Sequence, residues 1–159
     1  MRVGFDQEFE NMKVVNAVLD DDTAQLPKRA DSHSAGYDLY AHINGIEELG
    51  IMPGETIMIG TGVHVRIPNG YFGGIFARSG LATKKGLRPA NCVGVIDETY
   101  TGEIMVALHN DSKDTQVIKN GERIAQLVII PYATVIFNEV DELEKTDRGE
   151  SGFGSTGTM

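Results

Sequence analysis

Val63-His64-Val65-Arg66-Ile67 alternates apolar and polar residues without a break. Such period-two alternation marks a strand with one face buried and the other in solvent. The pattern recurs downstream, where Ile104, Val106 and Leu108 fall on one face of a strand and Met105, Ala107 and His109 on the other. Residues 122–130 become more continuously apolar toward their end, as in a strand covered on both sides. Residues 13–18, 37–41, 55–59, 71–77, 116–118 and 133–139 read as further strands. Met52-Pro53-Gly54, Pro68-Asn69-Gly70 and Asn120-Gly121 supply turns between them. Many short strands with glycine-rich punctuation predict an all-β sandwich or barrel. Only residues 79–85 read as helix, with Ser79 as N-cap and Gly86 as the stop. Residues 88–105 are expected to form one hairpin with Asn91 and Tyr100 near its mouth.

Composition narrows the class. A chain of 159 residues fits one domain and can bury a core without disulfides. The single cysteine, Cys92, excludes an intrachain disulfide and reads as a small buried residue in a reducing compartment. With no signal pattern and no apolar run of membrane length, the chain is expected to be soluble and cytoplasmic. A net charge of −9 argues against a nucleic-acid or anionic-membrane surface. An anionic small ligand would need local arginines or a metal. The four histidines, His33, His42, His64 and His109, lack ligand spacing and read as structural or surface residues.

Three segments carry chemistry. The C-terminal run Arg148-Gly149-Glu150-Ser151-Gly152-Phe153-Gly154-Ser155-Thr156-Gly157 reads either as a disordered end or as an anion clamp of guanidinium, hydroxyls and glycine-freed N–H groups. Its spacing echoes a phosphate-binding P-loop, but Ser155 replaces the lysine and no helix can follow, so a P-loop hydrolase is rejected. Arg78-Ser79-Gly80 lies at a strand-to-helix junction, where either a plain cap or an anion site fits. Asp97, at the end of the apolar pair Val95-Ile96 and three residues before Tyr100, reads alone as a turn former.

Taken in order, these segments resemble the five motifs of the trimeric dUTPase family. Ala35-Gly36-Tyr37-Asp38-Leu39-Tyr40-Ala41 is similar to the first and Arg78-Ser79-Gly80 to the second. Residues 91–104 resemble the third, Gly121-Glu122-Arg123-Ile124-Ala125-Gln126-Leu127 the fourth, and residues 148–157 the fifth. The likeness runs from about residue 25 to the end. Ser151, where glycine is frequent, and Thr99, where an acidic residue is common, are its two departures.

The resemblance implies a distorted β-barrel or jelly roll with one short helix and a flexible C-terminal tail, assembled as a homotrimer with active sites at subunit interfaces. Residues 1–147 would form the barrel domain, with 1–12 a loosely held arm, and 148–159 a mobile lid over a neighbouring subunit's site. The implied reaction is Mg²⁺-dependent hydrolysis of dUTP to dUMP and pyrophosphate, which removes dUTP and supplies dUMP for dTMP synthesis. Asp97 would be the catalytic base. Asn91 would read uracil, Tyr100 the deoxyribose, and Phe153 would stack on the base. Arg78, Ser79, Gly80, Gln126, Arg148, Gly154, Ser155 and Thr156 would hold the phosphates, and Asp38 would either hold a water on the metal or shape the sugar site. A dCTP deaminase, or a bifunctional deaminase–dUTPase, is the rival enzyme reading. A regulatory protein-binding module on the same scaffold is the rival of another class.

Overall fold

The computed structural model describes residues 12–150. Ten strands and one helix follow in the order β1 (Asn16–Leu19), β2 (Tyr37–Tyr40), β3 (Glu48–Ile51), β4 (Thr56–Arg66), β5 (Tyr71–Phe76), α1 (Ser79–Lys85), β6 (Leu87–Pro89), β7 (Val93–Ile96), β8 (Glu103–Asn110), β9 (Gln116–Lys119) and β10 (Arg123–Pro131). They form two four-stranded sheets, ordered β1-β4-β8-β6 and β2-β10-β5-β7, and a two-stranded ribbon of β3 with β9. Every pairing is antiparallel. The fold is thus the predicted all-β architecture with one short helix.

One core serves all three sheets. Ile59, Val63 and Val65 of β4 and Ile104, Val106 and Leu108 of β8 meet Leu39 of β2, Ile75 of β5 and Ile124 and Leu127 of β10, while Ile51 and Ile118 close the ribbon side. Each fully buried leucine or isoleucine contributes roughly 1.5–3 kcal/mol by leaving water. The alternation read in β8 holds: Ile104, Val106 and Leu108 are buried and Met105 is exposed. β10 runs between β2 and β5; Ile124, Ala125 and Leu127 are buried, but Val128 to Ile130 are only half-buried. Its expected two-sided burial is therefore incomplete within one chain.

The two strands read at 55–59 and 63–67 are one. Gly60-Thr61-Gly62 joins them through a bulge, where register with β8 shifts between Gly60 and His64. Gly62 has φ 64°, and a Cβ there would strike Ala24 and the His42 ring, so glycine serves both the backbone and the packing.

Four further expectations are corrected. Residues 88–105 are not one hairpin, because β6 pairs with β8 and β7 with β5, in different sheets. The chain crosses between them in a turn closed by Cys92 N–H donating to Pro89 O at 3.1 Å. Cys92 sits there with φ 61° and is exposed rather than buried. Arg78, not Ser79, is the N-cap of α1 (φ −83°, ψ 125°) and makes no side-chain cap bond, while Gly86 ends the helix as predicted. Residues 133–139 form no strand; they lie exposed, with Ile136 95% and Phe137 96% accessible. No described helix is long and apolar enough to cross a membrane.

Candidate active site

Pairing of β2 with β10 sets Asp38 opposite Gln126. Asp38 is almost buried, and both of its oxygens are engaged: Arg78 Nε donates to Oδ1 at 2.7 Å and Arg123 Nη1 to Oδ2 at 3.1 Å. Two guanidinium groups around one carboxylate leave a local surplus of one positive charge. This answers the demand that the −9 chain places on any anion site. Arg123 is an addition to the residues the sequence singled out. The signal for it is the motif Gly121-Glu122-Arg123, in which it reads merely as the polar start of a strand.

Asp38, Arg78, Ser79, Gly80 and Gln126 line one cavity of about 180 Å³, with Gly36 and Ser34 on its wall. Gln126 is held by Nε2 donating to Ala77 O at 2.9 Å. Because the first turn of α1 has no side-chain cap, the Ser79 hydroxyl is not consumed as one. A Cβ on Gly80 would meet nothing within 4 Å. Packing within the chain therefore does not demand glycine at 80, and its lack of a side chain leaves backbone facing the cavity. The donors here are a guanidinium, a hydroxyl, a carboxamide and main-chain N–H groups, the chemistry that holds phosphate.

Asp97 lies elsewhere. It follows β7 in a turn closed by Tyr100 N–H donating to Asp97 O at 3.1 Å, and it lines a second, larger cavity of about 450 Å³ with Phe72, Val95, Glu98, Thr99 and Tyr132. Its carboxylate accepts no hydrogen bond from the described residues, so it is available to a water. Partial desolvation, then the nearby Glu98 carboxylate and the Asp97 charge, push the Tyr132 phenol up. Tyr100 Oη donates to Glu103 O at 2.9 Å, and its ring lies against Gly102. The Asn91 carboxamide reaches toward Gly94 at the other end of β7.

The chain thus gathers the phosphate-type residues in one cavity and places Asp97 in another, with Asn91 and Tyr100 lining neither. Arg148 is exposed in a turn where Gly149 N–H donates to Thr146 O at 3.0 Å. Phe153, Gly154, Ser155 and Thr156 lie outside the described residues, as do residues 1–11 of the expected arm.

Comparison with known proteins decides the family. A family model described as dUTPase matches residues 22–157. The chain belongs to the dUTPase family. It is an enzyme of that family, a hydrolase, and hydrolysis of dUTP is the family reaction. A relative from Desulfitobacterium hafniense (strain DSM 10664 / DCB-2), named deoxyuridine 5′-triphosphate nucleotidohydrolase, is 46% identical over 151 residues, covering 94% of this chain and 99% of its own. A relative of the same name from Escherichia phage T5 is 47% identical over 137 residues, covering 84% and 92%. Among solved structures, a dUTPase of Staphylococcus bacteriophage 80alpha with dUPNHPP superposes with TM-score 0.79 at 32% identity, covering 92% of this chain and all of that one. A point mutant of the dUTPase from phage phi11 of S. aureus, described as revealing coordination of a structural Mg(II) ion, superposes with TM-score 0.74 at 28% identity, covering 84% and 100%. The rival deaminase reading has no counterpart among these dUTPases.

Proposed function

We propose that this dUTPase works as a cytoplasmic homotrimer in which each active site joins the phosphate cavity of one chain to the Asp97 turn of another. The observation that carries this reading is the separation of the two residue sets into two cavities of one chain. A base that does not share a cavity with the phosphate donors cannot direct water at phosphorus unless a second copy supplies the missing half. The exposed run at residues 133–143, with Phe137 and Leu143 almost fully accessible, further supports contact between copies.

In the assembled site, Arg78, Ser79, Gln126 and the N–H groups at Ser79 and Gly80 hold the triphosphate extended. Asp97, across the interface, orients a water on the α-phosphorus and accepts its proton as the O–P bond forms and pyrophosphate departs. A positioned base contributes about 10²–10⁴-fold, and charge stabilisation by the arginines adds to it. No group of three or more His, Cys, Asp or Glu gathers among the described residues to cage a metal. Asp38 keeps a second lone pair on each oxygen beyond its two arginine bonds, which fits a hydrated ion held chiefly by phosphates. Mg²⁺, when bound with the triphosphate, neutralises its charge, and Asp38 would hold one of the ion's waters.

Selection falls to the residues around β7. Asn91 and adjacent backbone pair with the uracil edge, and cytosine, with donor and acceptor exchanged, leaves those groups mispaired. Thymine's methyl group clashes with the same wall. Tyr100 packs on the sugar where a 2′-hydroxyl would stand. Residues 148–159 act as the lid, with Arg148, Gly154, Ser155 and Thr156 on the phosphates and Phe153 stacked on the base.

The test is pyrophosphate release from dUTP, UTP, TTP and dCTP with Mg²⁺, for wild type and Asp97→Asn, with the mass in solution measured by light scattering. Turnover selective for dUTP, nearly abolished by the substitution while dUTP still binds, and a three-chain particle are expected. Undiminished turnover in Asp97→Asn, ammonia release from dCTP, or an active monomer would overturn the reading.

A further inference from the structure

The bulge in β4 also fastens the turn that carries Tyr100. Where register with β8 is lost, side chains replace the missing ladder bonds: Thr61 Oγ1 donates to Ile104 O at 2.7 Å, and Gly62 N–H donates to Glu103 Oε1 at 2.8 Å. His64 completes the series. Its Nδ1 stands 2.9 Å from Thr101 O and its Nε2 2.8 Å from the Asp20 carboxylate. A carbonyl oxygen and an ionised carboxylate can only accept, so a ring that bonds both carries a proton on each nitrogen. Protonated, His64 is a cationic bridge from Asp20, just past β1, to the Thr101–Gly102 peptide.

That peptide leads directly under the Tyr100 ring. Gly102 lies against the ring, so closely that a Cβ would overlap it, and the Tyr100 hydroxyl donates to Glu103 O in the next residue. Moving the Thr101 carbonyl moves the floor on which Tyr100 rests. We propose that His64 is a positioning residue whose bridge between Asp20 and Thr101 sets the Tyr100 ring, and with it the discrimination of deoxyribose from ribose. The proposal rests on the reading of Tyr100 as the sugar-facing residue.

The bridge titrates. The Thr101 carbonyl, then the hydrogen bond to Asp20 and the negative charges of Asp20 and Glu103, raise the His64 pKa above the ordinary 6.5. Val18, its partner on β1, carries no charge, and Arg66 is the next outward residue of β4 itself. A raised folded pKa means the bridge is complete below 6.5 and is lost as pH rises through the folded value. The neutral ring has one N–H and must release one acceptor.

The experiment measures kcat/KM for dUTP and for UTP from about pH 6 to pH 9. Their ratio cancels ionisations common to both reactions, including those of the phosphates. The wild-type ratio is expected to fall about three- to tenfold across a midpoint above 6.5, the scale of one charge-assisted bond partly transmitted. His64→Gln keeps a donor for Thr101 but does not titrate, and its ratio should be flat. Asp20→Asn should move the midpoint to lower pH. A flat wild-type ratio, a His64→Gln profile that follows wild type, or an unmoved midpoint in Asp20→Asn would overturn the proposal. Tyr100→Ala separates this from failure of the underlying reading: if it keeps full preference for dUTP at every pH, Tyr100 is not the sugar gate.

Discussion

Gly36 lies directly beneath the side chain of Gln126, so that a Cβ at 36 would overlap the carboxamide oxygen and crowd Gln126 Cβ. Gly36→Ala forces the glutamine out of the bond it donates to Ala77 O. One neutral hydrogen bond is worth about 1 kcal/mol, so thermal unfolding should shift only slightly. The carboxamide proposed to hold phosphate is nevertheless displaced, and KM for dUTP should rise about tenfold. Comparable KM values in the variant and wild type would show that Gln126 does not bind substrate.

Asp38 is the hub for Arg78 and Arg123, with its own side chain 12% exposed and theirs 25% and 49%. Asp38→Ala leaves two like charges adjacent and uncompensated. A buried pair broken on one side costs about 3–5 kcal/mol, and the exposure of these arginines reduces that to about 1–3 kcal/mol. Denaturant unfolding checks this. Asp38→Asn, nearly isosteric, should cost less stability yet raise the Mg²⁺ concentration needed for half-maximal turnover.

Asp21 gathers the Thr23 hydroxyl and the N–H groups of Thr23 and Ala24, with the His42 ring at 3.2 Å. The Thr23 bonds, side chain before backbone, hold its pKa down from 3.8 to about 2. A depressed folded pKa stabilises the fold fully above 3.8, and that contribution is lost as pH falls toward 2. Asp21→Asn should therefore flatten the acid limb of the melting temperature against pH within that window. An unchanged limb would mean that other carboxylates govern acid unfolding.

These predictions also mark where sequence was legible. Alternation identified β4 and β8 because half-buried strands write their period directly, and a continuous apolar run identified β10. It failed at Gly60-Thr61-Gly62, since a bulge inside one strand and a turn between two share the same glycines. Cys92 was misplaced because side-chain polarity does not reveal a left-handed backbone in an exposed turn. The motif residues Asp38, Arg78, Ser79, Gly80 and Gln126 do meet, from distant stretches of the chain, as resemblance implied and local pattern could not. Arg123 and His64 escape a sequence reading because their roles depend on partners that only register brings close.

Residues 133–139 carry the strand-favouring run Val135-Ile136-Phe137, yet find no strand partner among the described residues. Strand-forming side chains say nothing of whose sheet covers them. Phe137→Asp should therefore shift light-scattering mass toward a single chain while far-ultraviolet circular dichroism stays that of the wild type. Removal of residues 148–159 should do the reverse, abolishing most turnover in an intact assembly.

The proposed division of the reaction between two cavities has a genetic consequence. An Asp97→Asn chain retains sound phosphate donors, and an Arg78→Ala chain retains a sound base. Each alone is dead, but refolded together they create mixed particles in which some interfaces are wholly wild type. Coexpression should restore a measurable fraction of turnover. A chain bearing both substitutions has the opposite effect: placed among normal copies, it spoils the site on either side of it, more than its share of the particle.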